Sequence, residues 1–190
     1  MLVVAVLLSL LSSVNVQASQ TGKCGDNITW TLDDKGNLEL TGKGKMYDYS
    51  LMGAPWGTSI VSVTISEGIE NLGKYALSFC GKLTNVVIPN SVKEILDGAF
   101  RGCDGLETVT IGKSVASIGP SAFSGCRELL SVTIPSAVKV IETKAFFNCG
   151  KLTSFSVDKE NKTYDKRQLQ CDNRNSNQHA DLWLQEYGYP

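Results

Sequence analysis

Chemistry is scarce in this chain. It has 190 residues but a single histidine, His179, three tryptophans and three methionines. No phosphate-cradling glycine loop, metalloprotease helix or nucleophile elbow is present. The formal net charge is −1, so nothing draws the chain as a whole to nucleic acid or to anionic membranes. After Leu11 no apolar stretch approaches the roughly 20 residues that a membrane-spanning helix needs. Global disorder is disfavoured as well: 42% of residues are apolar and 19% charged, the balance of a folded domain.

What is present is a period. Cys80, Cys103, Cys126 and Cys149 stand at equal intervals, and the residues around them repeat. The segments beginning at Ile60, Leu83, Leu106 and Leu129 follow one another without a gap, and a fifth starts with LTSFSV at Leu152 and then breaks off. A fixed period of this order marks a solenoid, each unit packing only on its neighbours. Within each unit Val63, Val86, Val109, Val132 and Phe155 alternate with Ile65, Ile88, Ile111, Ile134 and Val157, the pattern of a short half-buried strand rich in β-branched residues. A second apolar group follows (Ile69 and Leu72, Val92 and Ile95, Val115 and Ile118, Val138 and Ile141). A small–large pair precedes each cysteine (Ala76-Leu77, Ala99-Phe100, Ala122-Phe123, Ala145-Phe146). The spacing predicts a strand, a turn and a tighter return, either a turn or a short helix, stacked into a parallel sheet with strands about 4.8 Å apart.

The organisation expected is therefore a leader at 1–18, an N-terminal cap at 19–59, about four and a half repeats at 60–157, and a polar tail at 158–190 whose Asn-rich composition suits disorder. The leader has an apolar run from Leu2 to Leu11, polar residues Ser12, Ser13 and Asn15, and a small-residue exit Val16-Gln17-Ala18. This pattern predicts a secretory signal peptide cleaved after Ala18, although its start lacks Lys and Arg. The alternative, an uncleaved anchor, suffers from a short run. Two N-x-[ST] triplets, at Asn27 and Asn161, are candidate glycosylation acceptors in an exported chain. In the cap, Asn27–Leu32 and Asn37–Thr41 flank the turn residues Asp33 to Gly36 and predict a hairpin. Met46, Tyr47, Tyr49 and Trp56 are placed to seal the first repeat, since solenoid ends otherwise expose apolar core and strand edges.

These repeats, L-x-x-V-x-I-x-x-x-V-x-x-I-x-x-x-A-F-x-x-C, and the preceding CGDNITWTLDDKGNLELTGKGKMYDY with Pro55-Trp56, resemble the leucine-rich repeats and leading segment of BspA-like surface proteins over about residues 24–157. The resemblance implies a curved leucine-rich-repeat solenoid, secretion or surface display, and adhesive binding to protein partners, host matrix proteins among them. It implies no catalytic residue, cofactor or metal. The chain departs from the pattern in having few repeats and in breaking into an unrelated tail.

Three readings of the cysteine ladder are open. Zinc needs four converging ligands, whereas a ladder runs along a line. Disulfides between neighbouring rungs need Cβ atoms about 3.8 Å apart, closer than strand spacing supplies. Buried thiols acting as small hydrophobes fit the pattern best. Cys24 and Cys171 lie outside the ladder, and a Cys171–His179 nucleophile pair has nothing to hold its geometry. The binding surface expected is the concave strand face. Its outward rows are Ser62, Asn85, Thr108, Ser131, Ser154 and Thr64, Val87, Thr110, Thr133, Ser156. These are small, uncharged and mostly hydroxylated. They suit hydrogen bonding to an extended partner or glycan, and equally suit plain solvation, for they include none of the Trp, Tyr or Arg that dominate interface energetics. The competing reading of the whole chain is structural: self-association through an uncapped C-terminal edge.

Overall fold

The computed structural model describes residues 19–158; the leader, the tail, the Asn161 triplet, Cys171 and His179 lie outside the described residues. Five repeat strands form along one side of the molecule: β4 (Ser62–Ile65), β6 (Asn85–Val87), β8 (Thr108–Thr110), β10 (Ser131–Ile134) and β12 (Ser154–Val157). The returns carry two-residue strands, β5 (Asn71–Leu72), β7 (Glu94–Ile95), β9 (Ser117–Ile118) and β11 (Val140–Ile141), which stack into a second parallel sheet. Pairing follows the period of the sequence: Asn85 faces Thr108, and Ile95 faces Ile118. A third side is stitched by main-chain bonds from Leu77 N to Ala99 O (2.8 Å), Phe100 N to Ala122 O (2.8 Å) and Phe123 N to Ala145 O (2.7 Å). No helix occurs among the described residues, so the returns are turns. The result is a β-solenoid of the leucine-rich-repeat kind.

Equal spacing puts like on like in the core. Leu83, Leu106 and Leu129 are fully buried, as are Ile95 and Ile118. Phe100 and Phe123 stack at 5.1 Å between ring centroids, nearly parallel at 5°, and Phe123 and Phe146 repeat this at 5.2 Å and 3°. Where the earlier rungs carry valine, the last carries Phe155, which meets Phe146 edge-on at 5.6 Å. Each such side chain contributes about 1.5–3 kcal/mol when fully covered, and a neighbouring rung is what covers it. One coil alone cannot offset its ordering entropy.

The coil closes through two left-handed residues per rung, four apart. They are Tyr75 and Phe79, Gly98 and Gly102, Ser121 and Gly125, then Lys144 and Asn148, all with φ between 52° and 80°. Most side chains avoid this region, so the solenoid's geometry overrides local preference at Tyr75, Phe79, Ser121 and Lys144. Gly102 is required twice over. Its φ is +71°, and a Cβ there would stand 2.7 Å from the Phe79 ring.

The cap is more than the expected hairpin. An additional strand, β1 (Gln20–Gly25), precedes β2 (Ile28–Leu32) and β3 (Asn37–Gly42), giving an antiparallel meander. β3 then pairs parallel with β4, Leu38 against Val63 and Leu40 against Ile65. The cap thus builds one more rung, though its step along the chain is slightly longer than that of the repeats. Asp33 shapes the β2–β3 turn: its carboxylate accepts from the Lys35 and Asn37 amides and from Asn37 Nδ2, and the Asn37 side chain foremost holds its pKa below the usual range. Buried Asn71 clasps this rung to the first repeat, accepting from Met46 N (2.7 Å). Trp56 is buried between Trp30 (5.8 Å, edge-on) and Tyr49 (5.4 Å, edge-on), and its Nε1 donates to Ala76 O (2.9 Å). Met46 and Trp56 seal the core as expected. Tyr47 does not: it is exposed, and its hydroxyl donates to Asp26 instead.

Candidate binding face

The strand side of the solenoid displays both predicted rows. Thr64, Asn85, Val87, Thr108, Thr110, Ser131, Thr133 and Ser154 are exposed, and Ser62 and Ser156 are half-buried. Alternation places them outward because Val86, Val109, Val132 and Phe155 between them are committed to the core. Register aligns the rows: Asn85 with Thr108, Val87 with Thr110, Ser131 with Ser154 and Thr133 with Ser156. Neighbouring hydroxyls bond along a row, Thr133 Oγ1 to Ser156 Oγ at 3.0 Å. Val87, 63% exposed, puts an apolar patch in an otherwise polar field.

The face is longer than the repeats. On β2 and β3, Thr31 and Glu39 stand in register with Thr64, and Asn37 stands with Ser62, whose hydroxyl donates to Asn37 Oδ1 (2.6 Å). Ser19, Thr31, Asp33, Asn37, Leu38, Glu39 and Thr64 line a shallow depression at this end. Thr31 and Glu39 are not among the positions expected from the sequence. The signal is there, in the alternation of Thr29, Thr31, Asn37 and Glu39 with buried neighbours, but nothing local tells that β3 joins the repeat strands.

All five described cysteines are buried and carry no disulfide. They are also more than small hydrophobes. Cys103 Sγ donates to Leu77 O (3.0 Å), Cys126 to Phe100 O (3.3 Å) and Cys149 to Phe123 O (3.2 Å), each reaching the rung before its own. The Cys80 thiol bonded beside Cys103, together with burial, raises the Cys103 pKa, and burial raises that of Cys126. Burial pushes the Cys24 thiol from 9.0 to about 12. Thiols so protonated are poor nucleophiles. Their stabilisation is complete well below the ordinary thiol value of 9.0, where the unfolded thiols are still protonated, and is lost as pH rises through it toward the folded values, about 12 for Cys24. The unfolding free energy from urea titration should therefore fall across that window, by about 1.4 kcal/mol per pH unit for each such group. A free energy that stays flat there would show the thiols ionising freely in the folded chain.

Asn27, the described glycosylation candidate, is exposed in the turn between β1 and β2. Among the described residues no cluster of His, Cys, Asp or Glu is placed to hold a metal ion, and no helix is long and apolar enough to cross a membrane.

A β-solenoid with equal rungs, stacked like side chains and a displayed strand face defines a leucine-rich-repeat protein. The chain belongs to the family described as BspA type Leucine rich repeat region (6 copies), whose sequence profile matches residues 55–173. No curated protein matches it. Among solved structures it is similar to a leucine-rich repeat protein from Eubacterium ventriosum, at 24% identity and TM-score 0.62, covering 76% of this chain and 45% of that one. A leucine-rich repeat protein from Bacteroides ovatus is similar at 26% identity and TM-score 0.52, covering 69% and 40%. The leucine rich repeat protein of T. pallidum is similar at 22% and 0.51, covering 68% and 78%. The chain spans less than half the length of the first two.

Proposed function

We propose that the protein is a secreted or cell-surface binding module without enzymatic activity, which engages a protein partner through its strand face. The observation that carries this is the face itself: rows of mostly exposed Ser, Thr and Asn, uncharged from β4 to β12 and in register from β6 to β12, with exposed Val87 among them. Such a surface offers many hydrogen-bonding groups at strand spacing to an extended polypeptide and repels neither sign of charge. Membership of the BspA-type family supports a binding role, and the leader at 1–18 supports export.

The test is binding of the folded protein to a panel of purified extracellular-matrix proteins. Replacing Thr110 and Thr133 together by Arg puts two long charged side chains in mid-face. It should weaken binding by about tenfold or more, with circular dichroism unchanged. A folded wild-type protein that binds no member of the panel would count against the adhesive reading. Light scattering that shows mass rising with concentration would favour self-association through the C-terminal edge. N-terminal sequencing of the native protein should begin at Ser19 if the leader is removed as proposed.

A further inference from the structure

We infer that the strand face is hinged between β4 and β6, and that Pro89 contributes to the hinge. The face is not one sheet. β3 and β4 share four register pairs, β6 and β8 three, β8 and β10 one, and β10 and β12 four, while β4 and β6 share none. The main-chain bonds agree. Val61, Glu107, Leu130 and Thr153 each donate N–H to the rung before, to Gly36, Thr84, Glu107 and Leu130, but the equivalent bond from Thr84 to Val61 O is missing. Val63 is also only partly buried, where Val86 and Val132 above it are 2% exposed.

One position varies with the series. At the equivalent position of successive rungs, just past the last apolar residue of the strand side (Ile65, Ile88, Ile111, Ile134, Val157), stand Ser66, Pro89, Gly112, Pro135 and Asp158. Ser66 N donates to Leu40 O (3.0 Å) and Asp158 N to Ile134 O (2.9 Å), which closes the ladder at the two best-paired junctions. Proline has no N–H to give, and the two junctions that end in proline are those with no pair and with one pair. The other two sides of the molecule stay bonded across the β4–β6 seam, through Lys93 N to Glu70 O (2.7 Å), Leu96 N to Leu72 O (3.0 Å) and Leu77 N to Ala99 O (2.8 Å). A stack held on two sides and released on the third pivots about the held sides. The movement changes the spacing between Ser62 and Thr64 on one plate and Asn85 and Val87 on the other. Val61 and Val87, on the two sides of this seam, are exposed. This holds whatever the face binds.

Amide exchange and ¹⁵N relaxation dispersion on the full chain test it. The Thr84 amide should exchange at least about tenfold faster than those of Glu107 and Leu130, with dispersion confined to β4, β6 and their flanks. Pro89→Ser, which restores the donor in the form found at Ser66, should slow that exchange and flatten the dispersion while leaving β10 and β12 unchanged. Pro89→Ala restores the same N–H and should act alike, so an effect of the serine hydroxyl is separated. A Thr84 amide as protected as that of Leu130, or flat wild-type dispersion, would overturn the hinge, and Pro89 variants with unaltered exchange would overturn the proline's part in it.

Discussion

Phe123→Ala is expected to lower unfolding free energy by about 3–5 kcal/mol, the range for a large side chain deleted from a core that cannot collapse onto the gap. Phe123 is fully buried, with Phe100 stacked on one side and Phe146 on the other. Removing it takes the shared partner from two ring pairs at once. Both neighbouring rungs are held at a fixed distance by main-chain bonds, Phe100 N to Ala122 O and Phe123 N to Ala145 O, so neither can move in to fill the space. Domain stabilities run to about 5–15 kcal/mol, so the variant should sit near its threshold. Urea titration measures the loss directly. Phe123→Leu keeps most of the volume and should cost no more than about 1.5 kcal/mol. A loss below about 1 kcal/mol for the alanine variant would mean the rings are not stacked in a close-packed column.

Trp56→Ala should cost a similar amount, about 3–5 kcal/mol, but at the other end of the molecule. The indole fills the space between Trp30 and Tyr49 and donates to Ala76 O, so it joins the cap to the first repeat by packing and by a hydrogen bond. Without it the Ala76 carbonyl loses a buried partner, and the cap rung loses a large aromatic contact. Limited proteolysis should cut first within residues 24–57 while the phenylalanine column stays protected. Trp56→Phe retains a ring but not the N–H and should cost about 1–2 kcal/mol. Cleavage in the alanine variant that begins instead among the repeats would show that the cap stands independently of Trp56.

Most of the repeat architecture is legible in the sequence because one rule governs it. Val86, Val109 and Val132 occupy equivalent positions, so a single alignment places their strands, cores and outward rows together. The cap is legible only in part. Its hairpin follows from Asp33 to Gly36, but β3 stacks on β4 at an offset unlike that of the repeats and shares few residues with them. Nothing in Gln20–Gly25, with its lysine and two glycines, reads as a strand on its own. Trp30 carries no signal by itself, because its burial depends on Trp56, far along the chain. The closing turns are hidden for a different reason: Tyr75, Phe79 and Lys144 are poor left-handed residues, and Tyr75 and Phe79 are held there by bonds to the next rung. In the candidate face, the repeat rows are visible as alternation. Glu39 and Thr31 are not, since their membership rests on tertiary pairing.

The stacking of equivalent rungs is the claim on which the face, the column and the hinge all depend. Nuclear Overhauser contacts between backbone protons of labelled protein test it most directly. The account predicts cross-strand contacts between equivalent positions of successive repeats, Asn85 to Thr108 and Ser131 to Ser154 among them, and between Leu38 and Val63 where the cap joins. Contacts in antiparallel order between successive repeat strands, with no series linking equivalent positions, would contradict it.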